Sequence, residues 1–381
     1  MRATEPPPTG LYIHWPFCDR ICPYCDFTVA KNKAVNEAAW EQALLADIAY
    51  WAERVGRRPL VSIYFGGGTP SLMNPALVER LLEAAEYHFG LADDIEVTLE
   101  ANPTDAEVAR FQRFRAAGIN RLSLGIQSFD DDQLRFLGRN HDGASARGAV
   151  ETALKCYDQV TFDLIYALPG ETLEEWASRL RDAVAMGSRH LSLYQLTVEP
   201  GTAFAKAVDR REWSPLDEAA AADLYIAAGE IMAAAGVPAY EVSNYAAMGQ
   251  RAVHNSLYWK GADWVAIGPG AHGRITSDTE RWATEASPSV KAYTDGKPDT
   301  RFSTERLDAH AVVTERLAGG LRPVEGLSLD QLPLWAQDEI TRAREKLTMQ
   351  GLLLDRVGCL QPSPQGRLLI DYIVRELVAA L

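Results

Sequence analysis

The chain has 381 residues, 47% of them hydrophobic, enough to bury the core of one large α/β domain plus a smaller one. Its 38 basic and 52 acidic side chains give a net charge of -14, which disfavours electrostatic binding to nucleic acid or anionic lipid. Of five cysteines, Cys156 and Cys359 lie far from the other three, which excludes a disulfide framework; with no signal-peptide core and no run long enough for stable membrane insertion, a reducing cytoplasm is the expected location.

The stretch LYIHWPFCDRICPYCDF, Leu11 to Phe27, opens as a strand and then sets Cys18, Cys22 and Cys25 in a Cys-x3-Cys-x2-Cys loop. Three thiolates this close can share one metal centre, yet a tetrahedral zinc or a four-iron cluster would lack one protein ligand. A [4Fe-4S] cluster held this way keeps one iron open to a small molecule. The spacing is equally compatible with a structural zinc that takes His14 as fourth ligand, or with plain buried thiols.

Residues 34–55 carry Trp40, Leu44, Leu45, Ile48 and Trp51 at helical spacing, and Val61–Phe65 reads as a buried strand. Helix-like stretches at 75–88, 104–117, 131–137 with 144–157, and 172–187 then alternate with strand-like runs at Ile95–Leu99, Arg121–Leu124, Val160–Ile165 and Leu191–Leu196. Strands joined through helices lie parallel, so the expected fold class is α/β, a partial (β/α)6 barrel with its site at the carboxyl ends of the strands.

Polar motifs fall at those ends. Gly66-Gly67-Gly68-Thr69-Pro70-Ser71 follows the second strand, and three glycines let backbone groups approach a ligand closely. Glu100-Ala101-Asn102-Pro103 follows the third strand, Gly125-Ile126-Gln127-Ser128-Phe129 the fourth, Arg139 comes soon after, and Asp163 lies in the fifth. Each alone reads as a cap, a turn or a surface charge. Together they place two carboxylates, an amide and a guanidinium around one rim, which suits a zwitterionic nucleoside with a ribose diol.

These motifs, with RLSLGIQSF, DLIYALPGET, LSLYQLTVEPGT, YEVSNYA and GPGAHG, resemble in order those of the radical S-adenosylmethionine (SAM) superfamily. The branch resembled contains the oxygen-independent coproporphyrinogen III oxidases (HemN) and the heme chaperones (HemW), over roughly residues 10–275 and more weakly into the tail. The resemblance implies a [4Fe-4S] cluster on Cys18, Cys22 and Cys25, with SAM on the open iron and an electron donor for the cluster. It further implies SAM contacts from Tyr12, Gly67, Gly68, Thr69, Glu100, Gln127, Arg139 and Asp163.

Two departures from the oxidases point to the chaperone side. The oxidases carry a fourth cysteine where this chain has Phe27, and a long segment before the first strand where this chain has about ten residues. His254-Asn255-Ser256-Leu257-Tyr258-Trp259 resembles the HNxxYW motif of the chaperones and implies heme contact through His254, Asn255, Tyr258 and Trp259. An imidazole can ligate heme iron while aromatics form a flat wall, although a core histidine beside a core Tyr/Trp pair has the same pattern. His272 in GPGAHG is a competing iron ligand.

Residues 1–275 are therefore expected as the radical SAM core, 276–300 as a linker, and 301–381 as a small winged-helix-like α+β domain. In that tail, helices are expected at 303–318, near 337–350 and at 364–380, with a turn at Gly319-Gly320 and a strand at Leu352–Asp355. Its 10 basic and 11 acidic residues support no nucleic-acid role. The implied partners are heme-accepting apo-proteins, with respiratory enzymes as candidate acceptors. The rival activity is coproporphyrinogen decarboxylation by SAM radical chemistry.

Overall fold

A computed structural model describes residues 7–33, 35–277 and 280–381. The first six residues of the short leader and positions 278–279 of the expected linker lie outside the described residues. Strand β1 (Thr9–Trp15) is followed by helix α1 (Glu37–Val55), β2 (Leu60–Gly67), α2 (Pro75–Phe89), β3 (Leu91–Ala101), β4 (Arg121–Gln127), α3 (Gly143–Cys156), β5 (Gln159–Tyr166), α4 (Leu173–Ala185) and β6 (His190–Gln195). Next come α5 (Glu218–Ala234), β7 (Asn244–Ala246), α6 (Val253–Lys260), β8 (Asp263–Ile267), β9 (His272–Ser277), β10 (Glu280–Ala286), β11 (Phe302–Arg306) and α7 (Ala309–Gly320).

The eleven strands form one sheet in the order β11-β10-β9-β8-β1-β2-β3-β4-β5-β6-β7. From β8 through β6 the pairs are parallel, as the β/α alternation requires. Antiparallel strands flank them on both sides, and the strand order has two free edges, so the sheet is open among the described residues. The helix starts were written locally. Asn36, Asn74, Asp142 and Thr172 each accept a first-turn backbone N–H, and Thr172 with Glu175 closes a capping box.

The two faces of the parallel strands differ sharply. Leu11, Ile13, Ile63, Phe65, Leu99, Leu122, Leu124, Phe162, Leu164 and Leu191 are fully buried in the main core with the helices. Burying each such side chain contributes about 1.5–3 kcal/mol. Alternate residues point the other way, and they are Tyr12, Ser62, Tyr64, Glu96, Thr98, Glu100, Arg121, Ser123, Thr161, Asp163, His190 and Ser192. This inner face is therefore a wall of polar and aromatic groups. Low on it, Arg121 reaches Glu96 at 3.6 Å and the Thr161 hydroxyl at 2.7 Å, so its buried charge is met.

Several sequence expectations change. The helix at 104–117 is broken into Asp105–Val108 and Phe111–Ala116. The stretch 276–300 is no linker: β9 and β10 pair residue for residue from His272↔Glu285 to Ser277↔Glu280, and Tyr293 is buried in the main core. Much of its polar content sits on the antiparallel flank of the sheet, where side chains facing water are tolerated. Residues 303–306, expected to open a helix, belong to β11 against β10, and the helix starts only after Asp308 accepts the Ala311 N–H at 2.8 Å. Gly319 and Gly320 end that helix instead of turning.

From α7 onward a second core gathers Leu317, Leu327, Ile340, Leu347, Leu360, Ile373 and Leu377. Its helices Leu334–Glu339, Thr341–Met349 and Ile370–Val378 accompany a two-stranded antiparallel pair, Leu327–Ser328 with Cys359–Leu360. The strand expected at Leu352–Asp355 is reduced to a single bridge between Leu353 and Pro362.

Candidate functional site: a thiol-lined cavity at the strand ends

The cysteine loop and the glycine loop are laced together. Gly68 N donates to the Trp15 carbonyl at 2.8 Å and Thr69 N to the Phe17 carbonyl at 2.9 Å. The fit leaves no room for side chains. A Cβ on Gly68 would lie 2.8 Å from the Pro16 carbonyl group, and one on Gly67, whose φ is +109°, would strike the His14 imidazole at 2.5 Å. Phe17–Cys18 also pairs with Ala30–Lys31, which closes the cysteine loop at its base.

His14 is held away from the thiols. Its Nε2 bonds the Thr28 carbonyl at 2.8 Å, and a carbonyl only accepts, so Nε2 carries the proton and Nδ1 accepts from the Tyr12 hydroxyl at 3.1 Å. Both ring nitrogens are used, which removes His14 as a zinc ligand. Among the described residues no three His, Cys, Asp or Glu side chains converge closely enough to hold a single metal ion.

Cys18, Cys22 and Cys25 instead line one wall of a cavity of ≈ 360 Å³. Gly67, Gly68, Thr69, Glu100, Gln127, Arg139 and Asp163 line the rest, so seven of the eight expected SAM contacts share this space. Tyr12 does not line it. Its ring stacks on Tyr64, whose hydroxyl donates to Glu100 at 2.8 Å, so Tyr12 supports the cavity from behind.

Arg139 ties the loops to one another. It donates to Cys22 Sγ at 3.3 Å, to the Gly125 carbonyl at 2.8 Å and to Asn102 Oδ1, while Asn102 Nδ2 donates to Thr69 Oγ1 at 3.0 Å. Gln127 ends β4 with φ +67°, a left-handed conformation that costs a non-glycine residue roughly 1 kcal/mol. Such strain collects where a side chain must be aimed.

Two carboxylates face the cavity. Burial pushes Glu100 up to about 7, against the opposing hydrogen bonds from Tyr64 and from Gly67 N. Burial, and then the Glu100 charge, push Asp163 up to about 7 as well. Both would ionise more readily beside a cation, so the cavity favours a ligand carrying positive charge next to a hydrogen-bonding body. A sulfonium and an ammonium on a nucleoside meet that description. The three thiols suit an iron–sulfur cluster with one open position. The residues present therefore fit both groups.

The family model of the radical SAM superfamily matches residues 12–183. The chain is 39% identical over 387 residues to the heme chaperone HemW of Escherichia coli (strain K12), across 98% of this chain and 99% of that protein. It is 37% identical over 377 residues to the heme chaperone HemW of Mycobacterium tuberculosis, across 97% and 95%. The chain belongs to the HemW family of radical SAM proteins. A relative named radical S-adenosyl methionine domain-containing protein 1, mitochondrial, from Mus musculus is 36% identical across 98% of this chain and 88% of its own. The solved structure of coproporphyrinogen III oxidase (HemN) from Escherichia coli superposes with a TM-score of 0.82 at 21% identity, covering 100% of this chain and 92% of that one, and shows the same fold.

The HNxxYW stretch forms α6, where His254 packs as a core residue. His254 is 1% exposed, its Nδ1 pairs with Ser62 Oγ at 2.8 Å and its Nε2 with Tyr258 Oη at 2.8 Å. Burial lowers it to about 3, so the ring stays neutral. Both ring nitrogens are engaged within the fold, as in a satisfied core histidine. Its task is to dock α6, whose N-terminus is capped by Glu96 through the Val253 and His254 N–H groups at 3.0 Å. Asn255 and Trp259 are half-buried, and Arg322 lies 4.5 Å over the Trp259 ring. His272, by contrast, is exposed at the start of β9.

Asn102 of the third strand-end motif also lines the cavity, as do Tyr194 and Ser123, which sequence reasoning does not single out. The signal was the period-two alternation: Ser123 sits on β4 on the face of Arg121 and Gly125, and Tyr194 lies two residues after Ser192 on β6.

Proposed function

We propose that this protein is a heme chaperone, carrying heme on a radical SAM scaffold and releasing it to acceptor proteins. The observation that carries this reading is identity to HemW proteins along nearly the whole chain, tail included. Cys18, Cys22 and Cys25 would hold the [4Fe-4S] cluster, with Glu100, Asp163, Gln127 and Arg139 positioning SAM. The cluster and SAM would supply one-electron chemistry there when bound. The protein's own part is to orient the nucleoside against the glycine loop and to keep two carboxylates near the positive charge. Phe27, 61% exposed at the cavity mouth, offers no thiol where the oxidases carry their fourth cysteine. For heme iron we propose His272, which has an exposed side chain. No helix among the described residues is long and apolar enough to cross a membrane, so acceptors at a membrane would be met from its surface.

The test is an anaerobic heme titration of the reconstituted protein followed by optical spectroscopy, with transfer to an apo-protein as second step. Saturable binding, a spectrum altered by His272→Ala, and transfer are the expected results. Decarboxylated product from coproporphyrinogen III, SAM and reductant would overturn the reading in favour of the oxidase.

A further inference from the structure

At the other end of the inner face lies a second pocket of ≈ 190 Å³, walled by Tyr258, Trp264, Arg274, Arg281, Glu315 and Arg316. Three guanidinium groups face one carboxylate. Arg274 Nε takes the short contact to Glu315 at 2.7 Å and Arg281 Nε a longer one at 3.7 Å. Arg281 also reaches Asp263 at 3.2 Å, but Asp263 is already engaged by Arg58 at 2.9 Å. Among the described residues Arg316 has only the Lys260 carbonyl as a hydrogen-bond acceptor. Burial, and then the nearby Arg281 charge, disfavour its cationic form against the opposing pull of Asp263, and no carboxylate among the described residues forms an ion pair with it. In a chain of net charge -14 this is a local surplus of positive charge.

The pocket has a flat wall. The Trp264 ring stands edge-on to Tyr258 with centroids 4.7 Å apart, and its Nε1 reaches along β9 to the His272 carbonyl at 2.7 Å. Trp264 pairs with Arg274 across the sheet, and His272 lies on the same strand face as Arg274, about 7 Å away by strand geometry. An exposed imidazole, an indole wall and an under-neutralised arginine cluster thus follow one another along one surface.

We propose that this pocket binds the paired propionates of heme, with the porphyrin ring leaning on Trp264 toward His272. The inference rests on the heme-carrier reading and adds the subsite that anchors the ligand's carboxylates. Guanidinium suits carboxylate because its fork donates two parallel hydrogen bonds. Arg316 would supply that fork at no cost to an existing ion pair. Tyr258 then has two faces: its hydroxyl pairs with the buried His254 and its ring lines the pocket.

The experiment titrates the reconstituted full chain anaerobically with heme and with heme dimethyl ester, which lacks both carboxylate charges. Wild type, Arg316→Gln and Arg316→Lys are compared. Losing one charge-assisted hydrogen bond weakens heme binding roughly ten-fold or more in Arg316→Gln, and Arg316→Lys recovers part of it. The ester binds wild type and Arg316→Gln equally and more weakly than heme binds wild type. The ester comparison on wild type needs no substitution, so it stands even where a variant folds poorly. Heme and ester binding wild type with equal affinity, or Arg316→Gln leaving heme affinity unchanged, overturns the pocket while the chaperone reading survives. Absence of saturable heme binding to wild type overturns both.

Discussion

Glu100→Gln tests the electrostatics of the cavity directly. In the folded chain without ligand, burial raises Glu100 from 4.5 to about 7, so the unfolded chain ionises this group first. Between those values the folded state binds the extra proton, and stability falls as pH rises through the window from about 4.5 to about 7. At 1.36 kcal/mol per pH unit the full shift would remove about 3.4 kcal/mol. Glu100 is only half-buried at the cavity wall and partly screened by solvent, so we expect about 2 kcal/mol. Glutamine stays neutral and nearly isosteric with the protonated acid. Urea unfolding of the SAM-free protein should therefore give similar stabilities for the two proteins near pH 4. Near pH 8 the variant should be more stable by about 2 kcal/mol. Asp163 adds to the gain, because the Glu100 charge is one of the two causes that hold it up.

The same substitution should weaken SAM binding at pH 8 by about ten-fold, the loss of one charge-assisted contact. A residue that destabilises the free protein yet tightens its ligand is a familiar exchange of stability for function. A stability difference that is constant from pH 4 to pH 8, or a variant less stable at pH 8, would refute this electrostatic reasoning.

Gly68→Ala drives a Cβ into the Pro16 carbonyl, with backbone on both sides of the contact. We expect a loss of about 1–3 kcal/mol and, because the strain falls on the strand carrying Cys18, reduced iron uptake on anaerobic reconstitution; wild-type iron content and urea midpoint would contradict the lacing of the two loops. His254→Ala leaves Ser62 Oγ and Tyr258 Oη without their partner and opens a cavity under α6. Its cost should be about 2–4 kcal/mol, while the heme spectrum of the folded protein keeps its wild-type position. Wild-type stability with an altered heme spectrum would restore His254 as the iron ligand.

The thiol end of the molecule was legible because its ligands are short motifs at successive strand ends, and a parallel β/α fold brings such ends together whatever lies between them. Cys18, Gly68, Glu100 and Asp163 needed only the right strand count to meet. The stretch 276–300 hides its strands for the opposite reason. Its polar composition is that of a linker, and only pairing with a neighbour shows that β9 and β10 continue the sheet. The arginine pocket was invisible because Arg274, Arg281 and Arg316 come from two strands and a helix, and none belongs to a motif.

The HNSLYW stretch shows how a motif can mislead when residue chemistry is read without burial. Histidine is its most reactive member and draws the chemical reading to itself. The i, i+4 step of α6 sets His254 and Tyr258 on one side of the helix, and Gly10 on β1 leaves the space that His254 and Leu257 fill: a Cβ there would meet the His254 ring at 3.2 Å and Leu257 at 2.7 Å. His254 is thereby committed to Ser62 and to Tyr258. What the motif then presents outward is the Tyr258 ring, held in place by the histidine behind it, beside arginines that the motif does not contain. A heme-binding defect from mutating His254 would on this account be indirect, acting through the position of Tyr258. It is the substitutions at Arg316 and His272 that separate contact from support.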